Sequence, residues 1–180
     1  MLKPKGALLA GGRQLAAPFG IFITPKILLD PKTGISEWTK ATFIRSMREG
    51  RSPDGTYYFP ALPYVSYASM IDDDLTVLWA YLRARPAQSR TNQAHQISFP
   101  FNQRWLLFFW RFLYFEDSPF LPESEKPVAW NCGAYLFRAV GHCGECHAPR
   151  TLMGRMRLGR DFTGSLERVG RQMRAQHYTL

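Results

Sequence analysis

The amino-acid sequence predicts a mostly α-helical protein, because helix patterns recur along it while strand patterns are short. Three segments show apolar residues at the i, i+3, i+4, i+7 spacing of one helix face, around residues 39–50, 72–85 and 128–140. Proline- and glycine-rich connections separate these segments. With 46% apolar and 21% charged residues, the chain can build a core and does not resemble a disordered protein.

The first helix has a start signal and a stop signal. Thr39 is a candidate N-cap, and Trp38 and Phe43 occupy the two positions of a hydrophobic staple. Gly50 is placed to end the helix. A turn and then an aromatic, proline-rich loop are expected over residues 52–67.

The second helix is the best-defined element of the sequence. Asp72 opens a run of three aspartates on the first turn, where the helix dipole favours negative charge. Arg83 and Arg85 lie at the other end, and Pro86 stops the helix. The apolar face predicted to be buried consists of Leu75, Leu78, Trp79 and Leu82.

Residues 87–127 form a bridge with several prolines and the most apolar stretch of the chain. That stretch, residues 105–115, is too short to cross a bilayer. It is expected to form a buried helix, with a helix at a membrane surface as the alternative. A third helix, from about 128 to 140, then leads directly into the motif described next. Its predicted stripe is Gly133, Leu136, Phe137 and Val140.

Cys143, Cys146 and His147 form a C-x-x-C-H pentapeptide, the attachment pattern of a c-type haem. Two thiols three positions apart can each add to one vinyl group of a haem, and the adjacent imidazole can then ligate the iron. The three residues together are a much stronger signal than a bare C-x-x-C. The sequence therefore predicts one covalently attached haem c, with His147 as iron ligand.

Two other uses of these cysteines are less favoured. A thioredoxin-like dithiol would follow a strand in a βαβ unit, whereas this pair follows a helix. A zinc site needs more ligands at suitable spacing, and His95, His142 and His177 are scattered along the chain. Cys132 is a third cysteine outside the motif, so the cysteines do not form a disulfide framework.

The net charge of +9 bears on partners rather than on fold. Much of the excess lies after Arg150, and no lysine or arginine run of nucleic-acid type occurs. The charge is interpreted as a docking or solubility feature, and no nucleic acid is expected as a partner.

Three stretches resemble the diheme or triheme cytochrome c subunits that accept electrons from membrane-bound periplasmic dehydrogenases of alcohols, aldehydes and sugar acids. They run from GGRQLAAPFG to FIRSMREGRSPDG, over YYFPALPYVSYASMIDDDLTVLWAYLRARP, and over WNCGAYLFRAVGHCGECHAPRTLMG. The resemblance implies cytochrome c-like helical haem domains and electron transfer from a dehydrogenase subunit toward the respiratory chain. It also implies that the chain is an electron carrier rather than an enzyme, in the periplasm and associated with the membrane.

The resemblance also implies a domain division and a second iron ligand. Residues 1–86 resemble the later part of a first haem domain, 87–127 a bridge, and 128–180 the front of a second haem domain. Met70 would be the distal ligand in the first domain, although methionine is equally a common packing residue.

The chain departs from the family pattern in several places, which predicts two incomplete domains, truncated at both ends. No C-x-x-C-H precedes Gly11, no export signal is recognised, and the resemblance fades near Glu167. Residues 26–30 replace an Asn-Ile-Thr-Pro-Asp stretch, and Cys132 replaces an arginine. Two alternatives therefore stay open beside the cytochrome: a remnant or interaction module without haem, and a dithiol redox protein.

Overall fold

The computed structural model describes residues 9–31, 34–87, 91–151, 153 and 155–156. Within these residues the fold is mostly helical, as the sequence predicts, with one small sheet. The last helix carries the C-x-x-C-H motif. In chain order the elements are β1 Gln14–Ala17, β2 Gly20–Ile23, α1 Lys40–Glu49, α2 Tyr64–Tyr67, α3 Asp72–Arg83, β3 Gln96–Ile97, α4 Leu106–Tyr114, α5 Val128–Tyr135 with a π turn Leu136–Val140, and α6 Gly144–His147.

Both ends of α1 form as predicted. The Thr39 side chain accepts a hydrogen bond from the Thr42 amide at 3.1 Å. Gly50 closes the helix in the left-handed region at φ 60°, and its amide donates to the Ser46 carbonyl at 3.0 Å. A Cβ on Gly50 would also lie only 2.5 Å from the buried Tyr64 ring. Glycine is therefore required here both for the backbone angle and for the close approach of Tyr64.

The predicted stripe of α3 faces the core. Leu75 and Leu82 are buried, and Leu78 and Trp79 are partly buried against the same interior. Helix α1 contributes Phe43, which stacks on Trp79 with ring centroids 5.1 Å apart. Trp38 and Phe43, the predicted staple residues, belong to one apolar cluster, as expected.

The region predicted as a loop over residues 57–67 contains a short helix, α2. Tyr64, at its start, is completely buried beneath Gly50 and in edge contact with the Phe115 ring at 5.4 Å. Burial raises the pKa of Tyr64, an effect that nearby Arg111 opposes. The loop prediction was therefore wrong for this turn, because a proline before Tyr64 starts a helix and deep packing of the ring stabilises it.

A three-stranded antiparallel sheet, in the order β1-β2-β3, adds a feature that the sequence did not predict. Its third strand comes from the segment predicted as a bridge. The imidazole of His95, just before β3, accepts a hydrogen bond from the Ile23 amide at 3.1 Å. Asn92 likewise accepts one from the Lys26 amide at 2.9 Å. The start of the 87–127 segment is thus hydrogen-bonded to the N-terminal part of the chain.

Helix α4 forms as predicted, but the expectation that it is buried is wrong. Leu107 is its buried residue, and Arg111 anchors the same side by lying 4.1 Å from the Phe115 ring centroid. The other face has no neighbouring element to pack on among the described residues, so large apolar side chains stay exposed there. They are Trp105, Phe108, Phe109, Phe112 and Leu113. Among the described residues, no helix has the length and hydropathy needed to span a bilayer.

The third predicted helix is present as α5, but its last five residues form a π turn. A π turn holds more residues than an α turn, which rotates the following side chains around the axis. Ala139 is accordingly buried, whereas Leu136 and Val140 of the predicted stripe are exposed. The helix was predicted correctly and its buried face was not.

Candidate functional site

The C-x-x-C-H motif lies on one short helix immediately after the π turn. His142 has a positive φ of 41°, which turns the chain between the two helices. The Cys143 amide then donates to the Phe137 carbonyl at 3.1 Å, and the His147 amide donates to the Cys143 carbonyl at 3.0 Å. The motif backbone is therefore fixed against the end of the preceding helix.

Gly141 allows the first thiol to approach that helix end. A Cβ at Gly141 would lie 2.9 Å from the Leu136 carbonyl oxygen and 3.2 Å from the Cys143 sulfur. Both distances are shorter than an ordinary carbon contact, so a larger residue would push the thiol or the helix end away. The glycine before the motif thus has a steric role that composition alone does not reveal.

The described side chains of the motif are accessible and chemically suited to haem attachment. Cys143 is exposed and free of any disulfide, and His147 is exposed. The backbone of Cys146 lies in the same turn, while its side chain is outside the described part. A free thiol and an imidazole on one helical turn fit the donor set that a c-type haem requires.

Glu145, between the two cysteines, is held by groups on both sides. Its carboxylate accepts a hydrogen bond from the Ser66 hydroxyl at 3.1 Å and forms an ion pair with Arg150. The Arg150 guanidinium also donates to the Glu145 carbonyl oxygen at 2.8 Å. Only 12% of the Glu145 side chain is exposed. The sequence pattern does not single out Glu145; its one signal is an acidic residue inside the motif that is followed by Arg150.

Two tyrosines complete the contact between the motif region and residues 64–74. The Tyr67 and His142 rings meet edge to face with centroids 5.5 Å apart. The Tyr135 hydroxyl donates to the Asp74 carboxylate and accepts from the Ile71 amide at 3.2 Å. Burial and this bond to Asp74 raise the pKa of Tyr135 to about 12. The segment that carries Met70 and the segment that carries the motif are therefore packed together.

Met70, the predicted distal ligand, lies in the core. It is 5% exposed and packs in one cluster with Leu75 and Ala139. The Met70 carbonyl accepts a hydrogen bond from Arg48 at 2.7 Å. In the described structure Met70 thus occupies a packing position against the π turn that precedes the motif. Its role as an iron ligand stays a prediction.

The other methionines near the motif, Met153 and Met156, are too close in sequence to His147 to reach the opposite haem face easily. The Met156 sulfur lies 3.4 Å from the position of a Cβ on Gly144, because the chain turns back after the motif in a bridge between Arg150 and Met156. Met153 is exposed, and its carbonyl accepts from the Trp110 indole at 2.8 Å. The tail positions Met173 and His177 lie outside the described residues.

The structure does not gather the residues that the zinc interpretation would use. Over the described ranges, no group of three or more His, Cys, Asp or Glu side chains could hold a metal ion. His95 lies at the sheet, where burial lowers its pKa and Arg104 lowers it further. Cys132 is exposed on α5 as a free thiol.

Curated proteins with clear similarity are cytochrome or dehydrogenase subunits, while no protein-family model matches the chain. The chain is 37% identical over 169 residues to a diheme cytochrome c-type protein of Cereibacter sphaeroides, covering 91% of this chain and 55% of that protein. It is 40% identical over 153 residues to a nicotinate dehydrogenase subunit of Pseudomonas putida, covering 85% and 13%. It is 35% identical over 144 residues to the cytochrome c subunit of a quinone-dependent alcohol dehydrogenase of Gluconobacter oxydans, covering 78% and 30%.

These identities extend over most of the chain and confirm the resemblance that the sequence motifs indicated. The chain spans between 13% and 55% of the length of the three relatives.

Proposed function

We propose that this chain, a homologue of cytochrome c subunits of dehydrogenases over most of its length, is an electron-transfer c-type cytochrome that carries one covalent haem c. Cys143 and Cys146 would attach the haem, and His147 would ligate its iron. The observation that carries the proposal is the free, exposed Cys143 thiol on the same fixed helical turn as the exposed His147 imidazole. Similarity to a diheme cytochrome c-type protein supports it.

When bound, the haem supplies a one-electron Fe(III)/Fe(II) couple. The protein itself would hold the haem and orient the motif side chains toward it. The hydrogen bond from the Cys143 amide to the Phe137 carbonyl fixes the turn before the attachment points, and the Glu145 contacts fix the turn between them. His147 is exposed on the same turn, and its amide donates to the Cys143 carbonyl. No residue of this site is assigned bond-making chemistry on a substrate, so the chain is proposed as a carrier and not as an enzyme.

We also propose three units: an incomplete cytochrome c-like domain over residues 1–86, a bridge over 87–127 and a second incomplete cytochrome c-like domain over 128–180. The contacts between residues 64–74 and 135–147 support a close arrangement of the first and third of these units. Met70, which the resemblance places as the distal ligand of the first unit, is proposed as the sixth ligand of the one iron, the iron that His147 would ligate. To reach an iron atom it would have to leave the cluster that it shares with Leu75 and Ala139.

The role of Met70 is tested with Met70→Leu, which preserves apolar volume and removes the thioether. An altered absorption spectrum of the haem protein would support ligation by Met70. A spectrum identical to that of the wild type would show that Met70 only packs.

The partner is proposed to be a dehydrogenase subunit that donates electrons, with a periplasmic location and contact of the chain with the membrane surface. The names of the relatives support a dehydrogenase partner, since two of them are subunits of nicotinate and alcohol dehydrogenases. The net charge of +9 would favour an acidic docking face.

The experiment is to produce the full chain behind a cleavable export signal together with haem-attachment enzymes. Haem stain on a denaturing gel and the spectrum of the reduced protein are then recorded. A stained band and a low-spin c-type spectrum are expected. The matched control is the Cys143→Ser, Cys146→Ser double variant, which should show no stain.

Two other results would contradict the proposal, and each favours a different alternative. A folded chain without covalent haem and without a titratable dithiol would favour a haem-free remnant or interaction module. A haem-free chain whose Cys143 and Cys146 cycle between thiols and a disulfide would favour a dithiol redox protein.

A further inference from the structure

Two oppositely charged residues lie on either side of His147, the proposed iron ligand, in the sequence. Glu145 lies two residues before His147, and Arg150 lies three residues after it. The two side chains form an ion pair whose members are 12% and 26% exposed. Both are less exposed than the members of the Arg138–Glu123 ion pair, which are each 50% exposed, so water screens their charges less.

The negative charge of Glu145 is held in place by two side chains, Arg150 and Ser66. Arg150 reaches both the carboxylate and the carbonyl oxygen of Glu145, and the Ser66 hydroxyl donates to the carboxylate from α2. Ser66 is itself buried. The carboxylate therefore cannot swing into solvent without breaking a contact with another segment of the chain.

A fixed, shielded charge acts on a nearby electron-transfer centre more strongly than a mobile surface charge. Coulomb energy falls with distance and with the effective dielectric, and salt screens buried charges less than exposed ones. A negative charge favours the Fe(III) state, which carries one more positive charge, and a positive charge favours Fe(II). The two members of the pair must therefore act in opposite directions.

We propose that the Glu145–Arg150 ion pair, fixed by Ser66, sets the reduction potential of the haem held at His147. This inference rests on the proposed function, since it presupposes haem attachment at Cys143 and Cys146. Glu145 and Arg150 are positioning residues: they act on the haem through space and through the motif turn, and they carry no electron themselves.

The test compares two single variants by redox titration of the haem protein. Glu145→Gln keeps an acceptor for Ser66 and removes the negative charge, so the potential should rise. Arg150→Gln removes the positive charge and leaves the carboxylate, so the potential should fall. Each change should be on the order of tenfold in the Fe(III)/Fe(II) ratio, which for a one-electron couple corresponds to about 59 mV.

The matched control is Glu123→Gln. Glu123 belongs to an ion pair with Arg138 in which both side chains are half exposed and the charged atoms lie 3.9 Å apart. Because solvent screens this pair, Glu123→Gln should change the Fe(III)/Fe(II) ratio by less than about twofold. If one of the site variants does not fold, the other alone is compared with Glu123→Gln.

Opposite shifts of Glu145→Gln and Arg150→Gln, each larger than the control, would support the proposal. Shifts in the same direction would indicate general loosening of the haem site and overturn it, as would shifts no larger than the control. A wild-type chain that carries no covalent haem would instead remove the proposed function itself.

Discussion

The helices α4 and α5 are more apolar in sequence than the helices α1 and α3, yet only α1 and α3 are packed on their apolar faces. Phe43, Leu75 and Leu82 are almost completely buried. By contrast, Phe112 and Leu113 of α4 and Val128 of α5 are more than half exposed. An apolar stripe therefore predicts that a helix forms but not that its stripe is covered.

The difference lies in what surrounds each helix. α1 has a capped start, a glycine stop and a tyrosine that fills the space beneath that stop. α4 contacts the core on one side through Leu107 and Arg111, and its opposite face has no such neighbour among the described residues. Large contiguous apolar surfaces of this kind are typical of interaction sites.

The largest effect is expected from Leu75→Ala. Leu75 is fully buried between Met70 and Ala139, so the truncation leaves a cavity in addition to the lost apolar burial. The free energy of unfolding should fall by about 2–5 kcal/mol. Equilibrium unfolding in urea, read by circular dichroism, measures it. A loss below about 1 kcal/mol would show that this core is loosely packed.

A smaller but still large effect is expected from Gly50→Ala. The new methyl group would lie 2.5 Å from the Tyr64 ring at a backbone φ of 60°. Overpacking of this kind costs about 1–3 kcal/mol, measured by the same unfolding experiment. Gly55→Ala is the matched control, because Gly55 also has a positive φ but no atom within 4 Å. Equal losses in the two variants would mean that backbone strain alone is responsible and that Tyr64 yields without cost.

Much of this architecture follows from short-range signals. The cap at Thr39, the stop at Gly50 and the stripe from Leu75 to Leu82 depend on neighbours within one or two turns, so the sequence predicts them correctly. The sheet was missed because its strands have two to four residues and β3 pairs with a strand about 75 positions earlier.

The candidate site likewise has a part that the sequence predicts and a part that it does not. The C-x-x-C-H motif is local and could be predicted, while the Ser66 contact to Glu145 joins residues 79 positions apart. The π turn, which moves Ala139 into the core instead of Leu136, has no sequence pattern that distinguishes it from an α turn. Long-range contacts and helix irregularities are therefore the part that only the structure supplies.

An intermediate loss of stability is expected from Tyr135→Phe. The Tyr135 side chain joins residues 71–74 to the helix that leads into the motif. The variant loses the hydroxyl that contacts Asp74 and Ile71. The free energy of unfolding should fall by about 1 kcal/mol. The pKa of Tyr135 is raised from 10.0 to about 12 by burial and by the bond to Asp74. A raised folded-state pKa gives stability that is present below pH 10.0 and is lost as the pH rises toward about 12.

The pH dependence gives Tyr135→Phe its own control. The difference in unfolding free energy between wild type and variant should be constant at neutral pH and should shrink above pH 10.0. A difference that does not change in that range would contradict the raised pKa of Tyr135, and with it the burial and the bond to Asp74 that raise it.

The smallest effect is expected from Leu113→Ala, the same substitution as in the core but on the exposed face of α4. Leu113 is 62% exposed, and alanine favours a helix slightly more than leucine. The change in unfolding free energy should stay within about 0.5 kcal/mol. A loss similar to that of Leu75→Ala would show that this face is covered in solution.

Covalent haem attachment at Cys143 and Cys146 is tested most directly by mass spectrometry of the protein matured in the presence of haem-attachment enzymes. Trypsin releases residues 139–150 as one peptide, because Arg138 and Arg150 are the flanking cleavage sites. This peptide contains both motif cysteines and His147 but not Cys132. The expected result is a peptide heavier by one haem, with the added mass lost in the Cys143→Ser, Cys146→Ser variant. Recovery of the peptide with two free thiols, from protein produced under conditions that load a known c-type cytochrome, would contradict the assignment.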